Sequence, residues 1–317
     1  MAYPIWQVGL DIQNGFMRAL AVQRRRHGWQ LRHWWQLPLP GGTLSGGSLH
    51  HPAALCTVLR QWRQELPRFV SLRLGFPASR VLQQRLALPD RRLREPRRGE
   101  YIGKMAAKAL PISGDDLALD YRPDPQTTNT LLVTAARQTE LNIWLHCLRD
   151  AGLQPDAVDI TPCALRCMAA QAGLATDRLL LHRFDDHWLW VAPLAEPLAF
   201  GTFYPDDIYS DGIYSDGIYS DGIYSDGIYS DDMSSRSDGV ATSPDVLKYV
   251  STCYQNNASH QAYLSASAPE YLQQLPATLI PWSPLSAFER QQPPLPTFPA
   301  AFAIAGGLAM RPEDTPC

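Results

Sequence analysis

The clearest pattern of apolar and polar positions lies in residues 131–172, which predict a strand, a helix, a second strand and a second helix. Residues 131–133 form a short apolar run that is typical of a buried strand. Apolar residues then recur at helical spacing, at Leu141, Trp144, Leu145 and Leu148. Gly152 is placed to end this helix in the left-handed conformation, with Leu153 folding back onto Leu148.

A second strand and a second helix complete this segment. Residues 157–160 predict a strand after Pro155. Thr161 is predicted to cap the next helix, Pro162 to be its first residue, and the helix to end near Gly173. The whole order indicates an α/β unit built for one covered sheet.

Similar patterns predict short strands and helices in the rest of the chain. Two apolar runs flank Asn14-Gly15, which predicts a β-hairpin with a tight turn. The further predicted elements are strands at 29–37, 69–76 and 261–265, helices at 52–65 and 244–254, and a hairpin of residues 178–182 and 188–191. The chain therefore reads as an α/β protein.

Composition predicts a soluble globular protein of two domains, because the chain has 317 residues of which 45% are apolar. We find no apolar run of about 18 residues and no basic and apolar leader, so we expect neither a membrane span nor a secretion signal. Six cysteines without paired short spacings indicate free thiols in a reducing cytoplasm. Cys163 and Cys167 are interpreted as small packing residues in preference to a metal site.

An acidic repeat interrupts the second half of the chain. Residues 211–230 are four identical copies of Asp-Gly-Ile-Tyr-Ser. A period of five suits neither regular element, since it would alternate the face of a strand and drift about 140° per repeat around a helix. We interpret residues 206–239 as a disordered acidic loop. Residues 206–232 hold eight Asp and no Lys or Arg, so the formal net charge of −3 becomes +5 for the remainder.

Arginine supplies nearly all of the positive charge, since only three residues are Lys. The densest runs are residues 24–26 and 91–98. Such runs suit phosphates, anionic lipid or acidic partner segments, and they also occur on ordinary solvated faces. The run at 91–98 has no interleaved aromatic residues, which counts against nucleic-acid binding.

The order LLVTAAR, amphipathic helix, AGLQPDAVDI and ALR in residues 131–172 resembles the core of the PilM family, which are actin-like cytoplasmic proteins of type IV pilus machines. The resemblance is strongest to the shorter HofM branch, which is linked to DNA uptake and use. Three further segments match the family pattern: Leu110-Pro111-Ile112, Leu119-Asp120-Tyr121 and residues 302–311. The glycines and alanines of the last segment are interpreted as residues for close packing on the sheet, in preference to a phosphate site.

The resemblance implies an α/β, actin-like (ribonuclease H-like) fold of two domains. The first domain is expected at residues 1–172, with an inserted 1C-like subdomain at about 89–125. A reduced second domain is expected at 173–311, interrupted by the repeat loop 206–239, with a tail at 312–317.

The resemblance also indicates where a nucleotide would bind, and the residues there depart from the family pattern. Asp11 and Gly15 keep their places in the first phosphate loop, but Gln13 stands where glycine is expected. The second hairpin turn, residues 183–188, has no glycine, and residues 265–269 replace the Ser-Gly-Gly adenosine motif. We therefore predict Asp11 and Gly15 as remnants of a cofactor site, with residual binding of ATP and magnesium left open, and neither a catalytic residue nor a metal site. The acidic turn at 185–187 is read as a tight polar turn in preference to a metal site.

The function implied by the resemblance is that of a scaffold. It would dock the cytoplasmic N-terminal peptide of a PilN-like inner-membrane protein, and through it a PilO-like protein and the pilus apparatus. The chain would then lie at the inner membrane through its partner. A peptide that adds its backbone to a sheet needs few specific side chains, so the sequence identifies no partner-binding residue.

Three alternatives remain open at this stage. A working ATPase would use Asp11 to handle the metal, with Asp159 near the cleft. A nucleic-acid binder would use residues 91–98. A sugar-kinase-like enzyme of the same fold is disfavoured, because no Asp-Gly-rich phosphate loop or catalytic base is found.

Overall fold

The computed structural model describes residues 5–90, 92–124, 127–205, 243–254 and 261–312. The predicted repeat loop and the tail beyond residue 312 lie outside the described residues. The chain forms two compact units: the first contains Met1–Arg80, Thr139–Phe203 and Ala258–Cys317, and the second contains Val81–Gln138 and Tyr204–Asn257. Within the described ranges, no helix is both long and apolar enough to cross a bilayer.

The described part of the chain forms sixteen strands and six α-helices. The strands are β1 (Trp6–Ile12), β2 (Phe16–Arg25), β3 (Gly28–Pro38), β4 (Leu44–Ser45), β5 (Ser48–Leu49), β6 (Val70–Phe76), β7 (Val81–Ala87), β8 (Leu117–Pro123), β9 (Thr130–Arg137), β10 (Ala157–Ile160), β11 (Leu179–Arg183), β12 (Trp188–Val191), β13 (Phe200–Phe203), β14 (Ala262–Ala266), β15 (Leu279–Pro281) and β16 (Phe288–Gln291). The helices are α1 (Pro52–Glu65), α2 (Arg97–Ala109), α3 (Gln138–Asp150), α4 (Thr161–Gln171), α5 (Ser243–Tyr254) and α6 (Ala303–Met310).

Two sheets of the same topology form the first unit. The first sheet has the order β10-β6-β1-β2-β3-β16, and the second has the order β13-β12-β11-β14-β15. In each sheet the first hairpin continues antiparallel to a third strand, while the fourth and fifth strands run parallel to the first. This repeated 3-2-1-4-5 order confirms the predicted actin-like, ribonuclease H-like fold.

Helices α4 and α6 fill the space between the two sheets. Every residue of α6 is buried, and the helix contacts β1, β2, β6 and α4. Their side chains form one apolar core with residues of both sheets, such as Leu20 of β2 and Leu189 of β12. The two halves of the fold therefore share a single core.

Three glycines permit this packing. A Cβ atom on Gly307 would lie 1.8 Å from the carbonyl oxygen of Ala164 in α4. A Cβ atom on Gly9 of β1 would lie 2.0 Å from the carbonyl oxygen of Ala305, and one on Gly306 would lie 2.5 Å from Met168 Sδ. The interpretation of the closing segment as close packing is confirmed, but its two glycines face helix α4, and Ala305 is the residue that approaches the sheet at Gly9.

Helices α1 and α3 bring large aromatic side chains to the first sheet. Trp62 of α1 packs edge-to-face on Trp35, with ring centroids 5.8 Å apart. Trp144 of α3 packs in the same way on Phe76, at 5.9 Å. The apolar stripe predicted for residues 52–65 accounts for this placement, and α1 has the predicted bounds.

The second unit contains an antiparallel sheet of order β7-β9-β8 and helix α2. Its core joins Ile102 and Ala106 of α2 to Leu86, Leu131 and Val133 of the strands. The predicted insertion at about 89–125 lies inside this unit.

The segment 131–172 has the predicted order of elements, but its two strands lie in different sheets. Strand β9 pairs with β7 and β8, whereas β10 pairs with β6. The expectation of one covered sheet was therefore wrong, because a short apolar run does not specify its partner strands. The helix end was predicted correctly: Gly152 has φ of 72°, and the Leu153 amide donates to the Leu148 carbonyl at 2.9 Å.

The predicted cap of α4 was also wrong. Thr161 is the first residue of the helix, after Ile160, and its side chain makes no cap. Its hydroxyl accepts a hydrogen bond from the Ala78 amide at 3.2 Å. The Thr161 hydroxyl oxygen, which the local sequence predicted to cap the helix, thus accepts from a backbone amide outside the helix.

We expect Gly307→Ala to lower the free energy of unfolding by about 3 kcal/mol, because the added methyl group would overlap a backbone carbonyl of α4. In an exposed helix the same change would add about 1 kcal/mol of stability. Gly41→Ala is the control, since a Cβ atom there meets nothing within 4 Å. Urea unfolding followed by circular dichroism measures both variants, and equal stabilities would contradict the packing account.

Candidate functional site

The turns of two hairpins lie near each other in the first unit. One turn joins β1 to β2 and is closed by a hydrogen bond from the Gln13 backbone amide to the Phe16 carbonyl at 3.0 Å. Gly15 in this turn has φ of 80°, which suits glycine. A Cβ atom on Gly15 would lie 3.6 Å from Oδ2 of Asp185, in the turn between β11 and β12. The two turns are therefore close neighbours.

Asp11 is buried at the end of β1, with 2% of its surface exposed. Its Oδ1 accepts a hydrogen bond from Gln13 Nε2 at 2.7 Å. Burial raises the pKa of Asp11 to about 6, although this hydrogen bond and the charges of Arg18 and His187 act in the opposite direction. The carboxyl group is held by the residue that replaces the expected glycine.

Arg18 projects from β2 into the same region and is 3% exposed. Its Nη2 donates to the carbonyl oxygen of Ser267 at 2.9 Å, and its Nε donates to Gln36 Oε1 at 3.2 Å. Burial lowers the pKa of Arg18, while the carboxylates of Asp11 and Asp185 raise it. The guanidinium group thus interacts with a carboxylate from each of the two hairpins.

Ser267 completes the connection between the sheets. It follows β14, and its hydroxyl donates to Asp185 Oδ1 at 2.5 Å. Its amide donates to the carbonyl of Arg183 at 2.8 Å. We call the set of Asp11, Gln13, Arg18, Asp185 and Ser267 the Arg18 network.

Two histidines lie beside the Arg18 network. His182 is buried, and its Nδ1 lies 2.7 Å from the hydroxyl of Ser265. Burial, followed by the positive charge of Arg18, lowers the pKa of His182 to about 3, so this imidazole is neutral. His187 Nδ1 lies 2.6 Å from Asp186 Oδ1, and its ring stacks on Phe184 with centroids 4.5 Å apart. These contacts fix the second turn.

The residues present fit the metal ion of a nucleotide poorly. In an actin-like fold the phosphates would lie between these two turns, and the metal beside them. The Asp11 carboxyl group already accepts a hydrogen bond from Gln13, and the buried guanidinium of Arg18 supplies positive charge near it. The structure brings Asp11 and Gly15 to one turn, as expected, and their role in cofactor binding stays a prediction.

Asp159, the other acidic residue considered for an ATPase, binds a different partner. Its Oδ2 accepts a hydrogen bond from Arg311 Nε at 2.7 Å, and its Oδ1 accepts from the amide of Ile160 at 2.8 Å. The ion pair ties the end of β10 to the residue that follows α6. Asp159 therefore has a local structural role in this arrangement.

The cysteines of α4 pack against the shared core. Cys163 and Cys167 are partly buried there, and burial raises the pKa of Cys167 to about 11, which keeps it a neutral thiol. Among the residues that the structure describes, no group of three or more His, Cys, Asp or Glu side chains is placed to hold a metal ion.

Arg18 and Ser267 are the site residues that sequence reasoning missed. The signal for Arg18 was present, since it is the one charged residue in the apolar run Phe16–Val22 of a buried strand. A charge on such a strand is costly unless it is paired, which points to a buried partner. No local signal identified Ser267 as part of that partnership.

Comparison with known proteins places the chain among pilus assembly proteins. The model of the family described as type IV pilus assembly protein PilM matches residues 9–178. DNA utilization protein HofM of Escherichia coli (strain K12) is 31% identical over 191 residues, which cover 60% of this chain and 73% of that protein. A solved PilM-PilN type IV pilus biogenesis complex contains a similar chain, with a TM-score of 0.69 and 19% identity, over 98% of this chain and 99% of that chain. The structural similarity confirms the fold.

The buried Asp11 carboxyl group predicts a specific pH dependence. Its pKa of about 6 in the folded chain exceeds the ordinary value of 3.8 for aspartic acid, so the folded chain binds this proton more tightly than the unfolded chain. The associated stability is present below pH 4 and is lost as the pH rises to about 6. We expect Asp11→Asn to remove this loss, which is roughly 3 kcal/mol.

The measurement is the free energy of unfolding of both proteins between pH 4 and pH 7. The free energy of unfolding of Asp11→Asn should exceed that of wild type by an amount that grows as the pH rises from 4 to 7. Parallel curves for the two proteins would show that Asp11 titrates normally and would contradict the described burial.

Proposed function

The chain belongs to the PilM family of type IV pilus assembly proteins, and we propose that it acts as a docking scaffold without ATP hydrolysis. The observation that supports this proposal is the Arg18 network, in which Arg18 of the first sheet donates to Ser267 and Ser267 donates to Asp185 of the second. A framework that is held together internally has no need of nucleotide to bring its two sheets together. The framework would then serve to present a binding surface.

We propose that the partner is the cytoplasmic N-terminal peptide of a PilN-like inner-membrane protein. The similar fold of a chain in a PilM-PilN complex supports this choice. The second unit offers backbone for such a peptide, because β7 and β8 are the edge strands of its sheet. An extended peptide that pairs with an edge strand gains main-chain hydrogen bonds with few demands on side chains.

The same proposal gives the chain its place in the cell. Bound to a bitopic partner, it would lie at the cytoplasmic face of the inner membrane and connect indirectly to a PilO-like protein and the pilus apparatus. The similarity to a DNA utilization protein supports a role in DNA uptake as well as in pilus assembly. An active ATPase would use Asp11 and Asp159 while they also accept hydrogen bonds from Gln13 and Arg311.

The test is a titration of the full chain with a synthetic peptide of the N-terminal segment of the PilN-like protein encoded beside it. We expect saturable one-to-one binding by fluorescence anisotropy, with the same affinity in the presence and absence of magnesium and ATP. A scrambled peptide of the same composition controls for charge and apolar content. Equal binding of the scrambled peptide would contradict the docking role, and a requirement for ATP would contradict the scaffold mechanism.

A further inference from the structure

One end of the first sheet, at which β1, β3 and β6 begin and β2 ends, combines exposed apolar side chains with arginines. Strands β1 and β6 are parallel, with Trp6 opposite Val70, so both begin at this end. Strand β2 ends there and β3 begins there, with Arg25 opposite Gly28. We define the Arg-aromatic edge by its members, which are Ile5, Trp6, Arg24, Arg25, Arg26, Trp29, Arg32, Arg68 and Phe69.

The apolar members of this edge are unusually exposed. Phe69 is 69% exposed and Ile5 is 56% exposed, and these are the two most exposed large hydrophobic side chains in the described part of the chain. Both lie immediately before a strand of the first sheet, at the same edge. Exposed large apolar groups that lie together mark an interaction surface more strongly than isolated ones.

The arginines of the edge are available to an external anion. Arg24, Arg25 and Arg26 are all exposed. None of the salt bridges found among the described residues involves an arginine of this edge. The hairpin turn of residues 24–29, with Gln171 of α4, borders a cavity of about 400 Å³. One carboxylate, that of Glu289, packs against Gly28 at the side of this turn.

Arginine and aromatic side chains are paired along the edge. Arg24 lies over the ring of Trp29 at 5.4 Å, Arg32 over Trp6 at 5.6 Å, and Arg68 over Phe69 at 5.1 Å from the centroid. Each pair orients a charged group beside an apolar one. Such amphipathic pairs suit a boundary between water and a less polar phase.

We propose that the Arg-aromatic edge binds the surface of an anionic phospholipid bilayer directly. The arginines would contact lipid phosphates, with the turn at residues 24–29 receiving a headgroup, while Phe69 and Ile5 would enter the interfacial layer. Basic side chains near an anionic leaflet and apolar side chains at its interface contribute independently to such binding. The inference goes beyond the proposed function, because it requires no peptide partner.

The geometry favours a bilayer over single-stranded nucleic acid. Nonspecific binding of a single strand uses a basic groove in which successive bases stack on exposed rings. Trp6 and Trp29 are partly buried, which leaves Phe69 as the exposed ring of this edge. A surface with one exposed ring matches an interfacial layer better than a strand of bases.

The test is cosedimentation of the purified full chain with vesicles of phosphatidylcholine in which about a third of the lipid is phosphatidylglycerol. We expect binding to these vesicles, weakened by salt, and little binding to pure phosphatidylcholine. Replacing Arg24, Arg25 and Arg26 together by Ala should weaken binding at least about tenfold. Phe69→Ser should weaken it about fivefold through loss of the inserted ring.

Two matched controls separate the site from general charge and hydrophobicity. The triple replacement of the exposed Arg92, Arg94 and Arg97 by Ala removes the same charge elsewhere, and Tyr101→Ser removes another exposed ring. Both controls should bind vesicles like wild type, and circular dichroism should show that all variants are folded.

Three outcomes would overturn the inference. The first is no binding of wild type to the anionic vesicles. The second is a loss of vesicle binding in the control variants that equals the loss in the edge variants. The third is that the same edge residues bind a single-stranded oligonucleotide or an acidic peptide more tightly than they bind the vesicles. The vesicle experiment contains no PilN-like protein. A failure to bind vesicles would therefore overturn this inference without bearing on the docking role that the peptide titration tests.

Discussion

The close packing of α6 against β1 and α4 is the constraint on which the rest of the structure depends. A methyl group on Gly9 or Gly307 would overlap backbone atoms, so these surfaces approach as nearly as backbones can. This contact allows one apolar core to join the two sheets. Because α6 packs on the first sheet and α4 contacts both sheets, the spacing of these elements also sets how closely the two hairpin turns approach. The position of Arg18 between the sheets follows from that spacing.

Within this frame, the Arg18 network answers a physical problem that a nucleotide would otherwise solve. Two acidic side chains, Asp11 and Asp185, approach the same region from opposite hairpins. The positive charge of the buried Arg18 acts on both carboxylates, although its guanidinium donates its hydrogen bonds to Ser267 and Gln36. Gln13 donates to Asp11, and Ser267 donates to Asp185. Buried charges are tolerated when they are paired and hydrogen-bonded. We infer that the family framework has been kept while its nucleotide chemistry has been replaced.

Local features of the fold could be predicted, and features that join distant segments could not. Helix α1 and the Gly152 helix end depend on neighbouring residues, so apolar spacing and a single glycine were sufficient. The partner strands of β9 and the hydrogen bond from the Ala78 amide to the Thr161 hydroxyl join segments that are distant in sequence. Apolar periodicity carries no information about such contacts. The site shows the same division: the motif brought Asp11 and Gly15 into one hairpin, whereas the bond from Arg18 to Ser267 joins residues 249 positions apart.

The central claim is that the cleft is held by protein side chains in place of a nucleotide, and calorimetric titration of the full chain with magnesium and ATP tests it most directly. The account predicts no saturable binding at millimolar ATP, because binding would require Arg18 and Gln13 to give up buried hydrogen bonds. One-to-one binding of ATP with a micromolar dissociation constant would contradict the account.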